Sequence, residues 1–258
     1  MNIYIIILIV FILLFLSLRY KKLESLESFS NNNNNQNKSN DFKYFYINLE
    51  KEKDKRINAD KNQKILNIPI NRFNAVNGKD LTNNDINFYV KNSYFTNNFN
   101  NIKTRGQVGV ALSHIKLLEK CSKDNKNYII FEDDFIIDKT FKNKFEIFLQ
   151  NLPNDWDIFY LFINDFYIND EQKRNNNTQR IKISKHIYKP IKPIGLVAYG
   201  VNCKSAELIL KHIKPLNDEP IDDTLGNLIK DDIITAYTTK ENIVDHPHEY
   251  YSNTFEKK

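Results

Sequence analysis

After residue 41, short apolar runs alternate with longer polar stretches along the chain. The apolar runs predict buried strands, and the stretches between them predict helices that pack against a sheet. Strands that alternate with helices in this way predict an α/β fold whose central sheet is mostly parallel. In such sheets, ligands bind beyond the carboxyl ends of the strands. The predicted strands lie in FKYFYINL, INRFNAV, YIIFEDD and WDIFYLF.

Two of the predicted helices are relevant to the candidate site. The clearest covers GQVGVALSHIKLLEKCSKDN, where apolar residues recur at helical spacing between Val108 and Leu118. The first helix covers EKEKDKRINADKNQKIL, which is so polar that we expect only Ile57, Ile65 and Leu66 to face the core.

A different pattern occupies the N-terminus. Residues 3–18 form an unbroken apolar run of sixteen residues followed by RYKK, slightly short of the ~20 residues that span a bilayer comfortably. Because basic residues do not precede it and small residues do not follow it, the run predicts an uncleaved, single-pass membrane anchor. Residues 1–20 are thus the predicted anchor, 21–41 a polar low-complexity tether and 42–258 the globular domain. The basic residues after the run favour the cytosol for that domain, and the side of the membrane stays open.

Composition narrows the class of protein. The chain has 258 residues, of which 41% are hydrophobic and 27% charged, as is typical of globular proteins. The net charge of +5 is spread along the chain. No basic stripe with interleaved aromatic residues occurs, so we expect no nucleic-acid partner. Cys121 and Cys203 lack metal-ligand spacing and are predicted to be free thiols.

Three consecutive acids, Glu132, Asp133 and Asp134, end the third predicted strand. Carboxylates this close resist burial unless a cation or hydrogen bonds compensate them. Side chains alternate along a strand, so Glu132 and Asp134 share one side and could hold Mg²⁺ or Mn²⁺. A solvated acidic turn is the alternative. A metal-dependent phosphoesterase would need a second acidic cluster, which Asp222–Asp223 or Asp231–Asp232 could supply.

The order of segments separates these alternatives. YFYINLEKEKDKR, RFNAVNGKDL, GQVGVALSHIKLLEKC, YIIFEDDFII, WDIFYLF, GLVAYGVNCKSAELIL and PIDDTL follow one another between residues 44 and 254. In this order they resemble glycosyltransferase family 25, which includes galactosyltransferases of lipopolysaccharide biosynthesis and of collagen. The resemblance implies a nucleotide-binding A architecture (GT-A-like). It also implies metal-dependent, inverting transfer of galactose or glucose from a UDP-sugar.

The resemblance also implies roles for residues near the metal and the acceptor. Glu132 and Asp134, or Asp133 and Asp134 in an irregular turn, would ligate Mn²⁺ or Mg²⁺ that bridges the diphosphate. His246 or His248 would complete the coordination. Asp222 or Asp223 would accept the proton of the acceptor hydroxyl. One of these aspartates could instead be a helix N-cap. The acceptor hydroxyl would belong to a glycan, a lipid-linked saccharide such as lipopolysaccharide, or a protein.

Further residues would bind the donor. Asn48 could equally be a turn residue, and Ser113 and His114 could equally be a buried helical pair. Two other functions remain open, namely a catalytically inactive carbohydrate-binding or assembly subunit and the phosphoesterase. The residues assigned to the substrate are Asn48, Asn74, Ala75, Ser113, His114 and Asp133.

Overall fold

The computed structural model describes residues 42–90, 102–164, 180–217 and 219–247, with side chains from residue 105 onward in the second range. The predicted anchor and tether, residues 1–41, lie outside these ranges. Within the ranges, no helix combines the length and the apolar character needed to cross a membrane. Cys121 and Cys203 are free thiols, as predicted.

The described elements largely follow the predicted alternation of strands and helices up to residue 160, whereas the four strands between residues 158 and 201 follow one another without a described helix between them. The strands are β1 (Phe42–Asn48), β2 (Ile70–Asn74), β3 (Asn127–Glu132), β4 (Ile158–Tyr160), β5 (Arg180–Lys182), β6 (Tyr188–Pro190), β7 (Ala198–Val201) and β8 (Ala236–Thr238). The helices are α1 (Lys53–Leu66), α2 (Asn83–Tyr89), α3 (Ile102–Asp124), α4 (Phe141–Asn151), α5 (Ala206–Ile213) and α6 (Ile221–Lys230), with a 3₁₀ turn at Gly78–Asp80.

The described strands form one mixed sheet in the order β2-β1-β3-β7-β4-β8-β6-β5. The β1–β2, β1–β3 and β4–β8 pairs are parallel. The β3–β7, β7–β4, β8–β6 and β6–β5 pairs are antiparallel. The fold is therefore mixed α/β, and the prediction of a mostly parallel sheet is wrong because most neighbouring strands are antiparallel.

Strand β7 is the main reason for this difference. It lies between β3 and β4 and is buried along its whole length. The hydrophobic pattern of a strand indicates that both of its faces are buried, but it does not indicate the direction in which the strand runs. Because β7 is antiparallel to both neighbours, its first residues lie at the edge where β3 and β4 end. The carboxyl ends of β1, β2, β3, β4 and β8 meet at this edge.

Helices cover both faces of the sheet. Apolar side chains of α3, α5 and α6 form one core with the first face, and those of α1 and α4 form a second core with the other. Each face of the central strands is therefore buried, which explains why β1, β3 and β7 read as nearly continuous apolar runs. The site at the sheet edge is thus held by elements from two cores.

Helix α1 packs through a polar residue as well as through apolar ones. Leu66 is buried, as predicted, but the prediction for Ile57 and Ile65 is wrong because both are exposed. Asn62 takes an inward position instead. Its side chain donates to one backbone carbonyl and accepts from one N–H in residues 135–137. Because these residues follow the acid cluster, α1 fixes the path of the chain there.

Helix α3 lies unusually close to the segment after β2. The predicted apolar face, residues 108–118, is buried. A Cβ atom at Gly109 would lie 2.7 Å from both the Gly78 nitrogen and the Val76 oxygen, so only glycine permits this approach. Ser113 Oγ then accepts a hydrogen bond from the Val76 N–H at 2.9 Å. The backbone contact fixes the height of α3 above the sheet.

Candidate active site at the carboxyl edge of the sheet

Strand register brings three of the predicted site residues to one edge. Asn48 and Asn74, the last residues of β1 and β2, are direct partners in the parallel ladder. Glu132, the last residue of β3, pairs with Ile47 of β1. The Glu132 N–H donates to the Val197 carbonyl at 2.9 Å, which brings the segment before β7 to the same edge. The edge is the place where α/β folds bind ligands.

The C-terminal segment returns to this edge through a backbone bridge. Ile136 and Asp245 exchange two N–H···O hydrogen bonds, each 2.8 Å long. The bridge places His246 beside Asp134, with Nε2 3.2 Å from Oδ2. Residues 134 and 246, 112 positions apart in the chain, thus become neighbours. His248 lies outside the described residues.

The three consecutive acids diverge toward three different elements. Glu132 faces α3, Asp133 faces α1, and Asp134 faces the C-terminal segment. Each carboxylate therefore has its own compensating partner. Glu132 and Asp134 thus have different protein partners, and their sharing of one cation stays a prediction.

Asp133 forms a buried ion pair. Its Oδ1 lies 2.9 Å from Lys55 Nζ, and its Oδ2 accepts from Asn48 Nδ2 at 2.7 Å. Burial raises the pKa of Asp133 even though the Lys55 ammonium and the Asn48 amide oppose that change. Burial alone would lower the pKa of Lys55, but the charge of Asp133 outweighs it and the pKa rises. Asp133 is therefore the counter-ion of Lys55.

The Asn48 side chain forms hydrogen bonds with several neighbouring groups, so Asn48 is not a plain turn residue. It is buried, and its Oδ1 accepts from Arg56 Nε at 3.0 Å and from Arg72 Nε at 3.1 Å. Its Nδ2 also donates to the Glu52 carbonyl at 3.1 Å. The two guanidinium groups pair with Glu50 at 2.8 and 2.9 Å. One amide thus fixes two cations and one anion at the end of β1.

Asp134 is buried, and one of its oxygens lacks a hydrogen-bond partner within the described residues. That atom is Oδ1, since Oδ2 contacts His246. Burial would raise the pKa of Asp134, but the hydrogen bond from His246 and the charge of Lys55 outweigh it, so the pKa falls. The hydrogen bond to Asp134 raises the pKa of His246, against the effect of burial. A buried anionic oxygen without a partner favours a cation.

The donor set fits a divalent cation that a substrate helps to hold. Asp134 Oδ1 is a buried carboxylate oxygen without a partner among the described residues, and His246 Nε2 could become a ligand once it releases the proton that it shares with Asp134 Oδ2. In the described ranges, no group of three or more His, Cys, Asp or Glu side chains is arranged around a metal position. Mg²⁺ is commonly held by one or two carboxylates together with substrate phosphates, and Mn²⁺ takes similar ligands. Both oxygens of Asp133 have partners, Lys55 and Asn48, whereas Glu132 uses only Oε1, for His114.

Asp222 and Asp223 occupy the first turn of α6 and do not cap it. The N-cap is Pro220, and no side chain caps the helix. Asp222 Oδ2 accepts from the Gly195 N–H at 3.1 Å. Asp223 instead pairs with Lys192 at 3.5 Å. Burial raises the pKa of Asp222, and the Gly195 hydrogen bond partly opposes that rise.

The charge of Asp222 reaches the acid cluster. It acts on both Glu132 and Tyr160, which end β3 and β4. Burial raises the pKa of Glu132, the hydrogen bond from His114 opposes that rise, and the negative charges of Asp134 and Asp222 add to it. Asp222 therefore belongs to the same electrostatic cluster as the acids of β3.

The remaining predicted residues divide into edge and core positions. Asn74 is exposed at the edge and accepts from Arg72 at 3.0 Å, while the Ala75 N–H donates to the Asn48 carbonyl at 3.0 Å. Ser113 is buried, and its hydroxyl donates to a carbonyl in the preceding turn of α3 at 2.7 Å. Its role is to join α3 to the segment after β2.

Sequence reasoning missed the cations of the site. Lys55 is one of several lysines in α1, and Arg72 is a lone arginine in β2. A signal for the first existed, since Lys55, Asn58 and Asn62 share one face of α1 at spacings of three and four residues. Both asparagines donate to the Phe135 carbonyl, at 2.9 and 2.7 Å. A polar stripe facing inward indicates a site beneath the helix.

Of the two acidic pairs that could complete a phosphoesterase site, Asp231–Asp232 lies away from the acids of β3. Asp231 and Asp232 follow the C-terminal end of α6, whereas Asp222 lies in its first turn. Asp232 pairs with Lys189 at the surface, at 2.6 Å. A ten-residue helix is about 15 Å long, so Asp231 and Asp232 lie far from Asp222, which is the acid of α6 whose charge acts on Glu132.

Comparison with known proteins supplies the class. A family model described as Glycosyltransferase family 25 (LPS biosynthesis protein) matches residues 41–225. The chain therefore belongs to glycosyltransferase family 25, and the resemblance recognised in the sequence is confirmed. Its class is that of the glycosyltransferases.

Three individual relatives share 23–29% sequence identity with part of this chain. A Haemophilus influenzae protein named "Putative glycosyltransferase" is 29% identical over 131 residues, 50% of this chain and 43% of that protein. Procollagen galactosyltransferases 1-A and 1-B of Xenopus laevis are each 23% identical, over 202 and 203 residues, 76% of this chain and 32% of theirs. The chain thus spans less than half the length of each of these relatives.

The Asp134–His246 pair makes a testable prediction about pH. In metal-free buffer, the pKa of His246 should lie above its ordinary 6.5, and Asp134→Asn should lower it because the carboxylate no longer stabilises the imidazolium. The stability that the pair contributes through His246 is complete below that ordinary value and is lost as pH rises through the raised pKa. NMR of the histidine rings measures this, with His246→Gln for assignment. An unchanged His246 titration in Asp134→Asn would contradict the pairing.

Proposed function

We propose that the chain transfers a hexose, galactose or glucose, from a UDP-sugar to a hydroxyl group on a glycan, a lipid-linked saccharide or a protein. The observation that carries this proposal is the buried Asp134 oxygen without a partner, beside His246 and near the Lys55 ammonium. A nucleotide diphosphate bound with a divalent cation matches that arrangement. The names of the Xenopus relatives support galactose as the hexose.

The diphosphate site has two sources of positive charge. Asp134 and His246 would hold Mn²⁺ or Mg²⁺. When bound, this cation neutralises the charge that develops on the departing diphosphate. Lys55 provides a fixed ammonium nearby, oriented by Asp133. Because Lys55 is paired with Asp133, a phosphate bound beside it would share the ammonium with that carboxylate and accept a hydrogen bond from it.

Asp222 is the better candidate for the catalytic base. Its carboxylate is held toward the acid cluster by the Gly195 N–H, whereas Asp223 is neutralised by Lys192. In the proposed step, the acceptor oxygen bonds to the anomeric carbon and its proton passes to Asp222. The bond from that carbon to the diphosphate oxygen breaks, and the electron pair leaves with UDP. Attack opposite the leaving group inverts the anomeric carbon.

The sheet topology supports the nucleotide-binding A architecture as part of this proposal. Asn48, Asn74 and Ala75 line the edge at β1 and β2, which is where the nucleoside would bind. The acids of β3 follow at the diphosphate, and Asp222 at the acceptor. This order along the edge matches the order of groups in a UDP-sugar and its acceptor.

Donor binding tests the proposal directly. With the full chain in detergent, UDP and UDP-galactose should raise the melting temperature with Mn²⁺, and EDTA should abolish the effect. Asp134→Asn should weaken metal-dependent binding more than about tenfold, because removing even an indirect partner of a metal ligand costs that much. Asp231→Asn, an exposed aspartate far from the edge, is the matched control. Calorimetry measures the affinities.

If UDP and UDP-galactose do not bind, one of the two other functions is favoured. Binding of glycans without any nucleotide would indicate a carbohydrate-binding subunit. Hydrolysis of a nucleotide or phosphate ester in the absence of a sugar acceptor would indicate a phosphoesterase.

The assignment of the base makes a second prediction. Asp222→Asn should lower kcat by about 10²–10⁴-fold, as expected for loss of a general base, with little change in donor affinity. Asp223→Asn should have a much smaller effect. In the unmodified protein, the rate should fall as pH drops through the Asp222 pKa, which burial raises above its ordinary 3.8. A larger loss in Asp223→Asn would reverse the assignment.

We also propose that residues 1–20 anchor the protein in a membrane and that residues 21–41 tether the catalytic domain to it. The apolar run of residues 3–18 is the basis. The full chain should stay in the membrane pellet after an alkaline carbonate wash, and deletion of residues 1–20 should release it. Recovery of the full chain in the soluble fraction would contradict the anchor.

A further inference from the structure

A buried histidine links the centre of the sheet to the acid cluster. His114 is 1% exposed in the middle of α3. Its Nδ1 lies 2.9 Å from the Tyr199 hydroxyl, and its Nε2 lies 3.4 Å from Glu132 Oε1. Tyr199 is fully buried in β7, next to β3. The buried side chains of His114 and Tyr199 thus form a chain of hydrogen bonds that ends at the Glu132 carboxylate.

The hydrogen bonds have a defined direction. A carboxylate oxygen only accepts, so His114 Nε2 carries the proton and donates to Glu132. The Tyr199 hydroxyl then donates to Nδ1. Burial raises the pKa of Tyr199 well above its ordinary 10.0, so the hydroxyl keeps its proton. Together the two bonds fix the tautomer and the orientation of the ring.

The location of Glu132 indicates what its carboxylate faces. The Glu132 side chain is 31% exposed at the sheet edge. The charges of both Asp134 and Asp222 reach it. In the proposed reaction, Asp134 lies at the diphosphate and Asp222 at the acceptor hydroxyl. The sugar that moves from one to the other must pass between them, which is the neighbourhood of Glu132.

We infer that Glu132 accepts hydrogen bonds from hydroxyls of the transferred sugar, and that His114 and Tyr199 are positioning residues that act through it. The inference rests on the proposed function. His114 uses one side of Oε1, which leaves Oε2 and a second lone pair of Oε1 for substrate hydroxyls. A carboxylate whose position is fixed in advance discriminates between hydroxyl arrangements better than a mobile one. Glu132 is then a sugar-binding residue and not a metal ligand.

The test compares UDP with UDP-galactose and UDP-glucose, using the full chain in detergent with Mn²⁺ and calorimetry. Glu132→Gln should raise the Kd for the preferred UDP-sugar about tenfold or more, because a hydrogen bond to a charged group is lost. Its affinity for UDP should not change. Tyr199→Phe should weaken binding of the same UDP-sugar about three- to tenfold, as expected for one neutral hydrogen bond. UDP binding should again be unaffected.

Tyr160→Phe is the matched control. Tyr160 is the β4 partner of Tyr199, is equally buried, and its hydroxyl has no hydrogen-bond partner within the described residues. Removal of its hydroxyl should leave the affinities for UDP and for the UDP-sugar unchanged. Because this substitution removes the same atom from the same layer of the core, it separates the positioning role from a general effect of a smaller side chain.

The outcomes are distinct. An equal loss of UDP and UDP-sugar affinity in Tyr199→Phe would overturn the inference, since it would show a purely structural role. Selective loss of Mn²⁺-dependent UDP binding in Glu132→Gln would also overturn it and return Glu132 to the metal. Absence of UDP binding in the unmodified protein would overturn the proposed function itself, and the inference with it.

Discussion

Mutual repulsion between three consecutive carboxylates is the constraint around which this site is built. Glu132, Asp133 and Asp134 end a buried strand, where water cannot screen them well. The fold sends each one to a separate partner on α3, on α1 or on the C-terminal segment. Three elements that are distant in sequence are therefore drawn to one edge. Among the buried oxygens of these three carboxylates, Asp134 Oδ1 is the one without a hydrogen-bond partner in the described residues, and that atom is the basis of the proposed cation site.

The other polar residues of the edge support this arrangement. Asn48 holds Asp133 from one side and two arginines from the other. Gly109 and Ser113 fix the height of α3, and hence the position of His114. None of these residues needs to touch a substrate to matter for function. They set the directions in which the carboxylates point.

Much of the site was predictable from the sequence because strand ends and acids are local features. The EDD run, the end of β1 at Asn48 and the family resemblance all point to the edge where the parallel strands end. Asp222 was one of two candidates for the base, and the preference for it over Asp223 required the positions of Gly195 and Lys192. Lys55 was missed because its partner is 78 residues away, and a lysine among many others gives no local signal. The direction of β7 could not be predicted from the sequence either, because the burial pattern is the same for parallel and antiparallel central strands.

The bridge between Ile136 and Asp245 has a consequence for how the protein is made. The ribosome synthesises the chain from its N-terminus. The acids of β3 are therefore made long before His246, which follows Asp134 by 112 residues. Until residue 246 has been synthesised, Asp134 lacks the imidazole that lowers its pKa in the folded protein. A chain that terminates before residue 245 lacks both the bridge and the histidine, however completely its sheet has formed. The Asp134–His246 pair is thus assembled only after residue 246 has been synthesised.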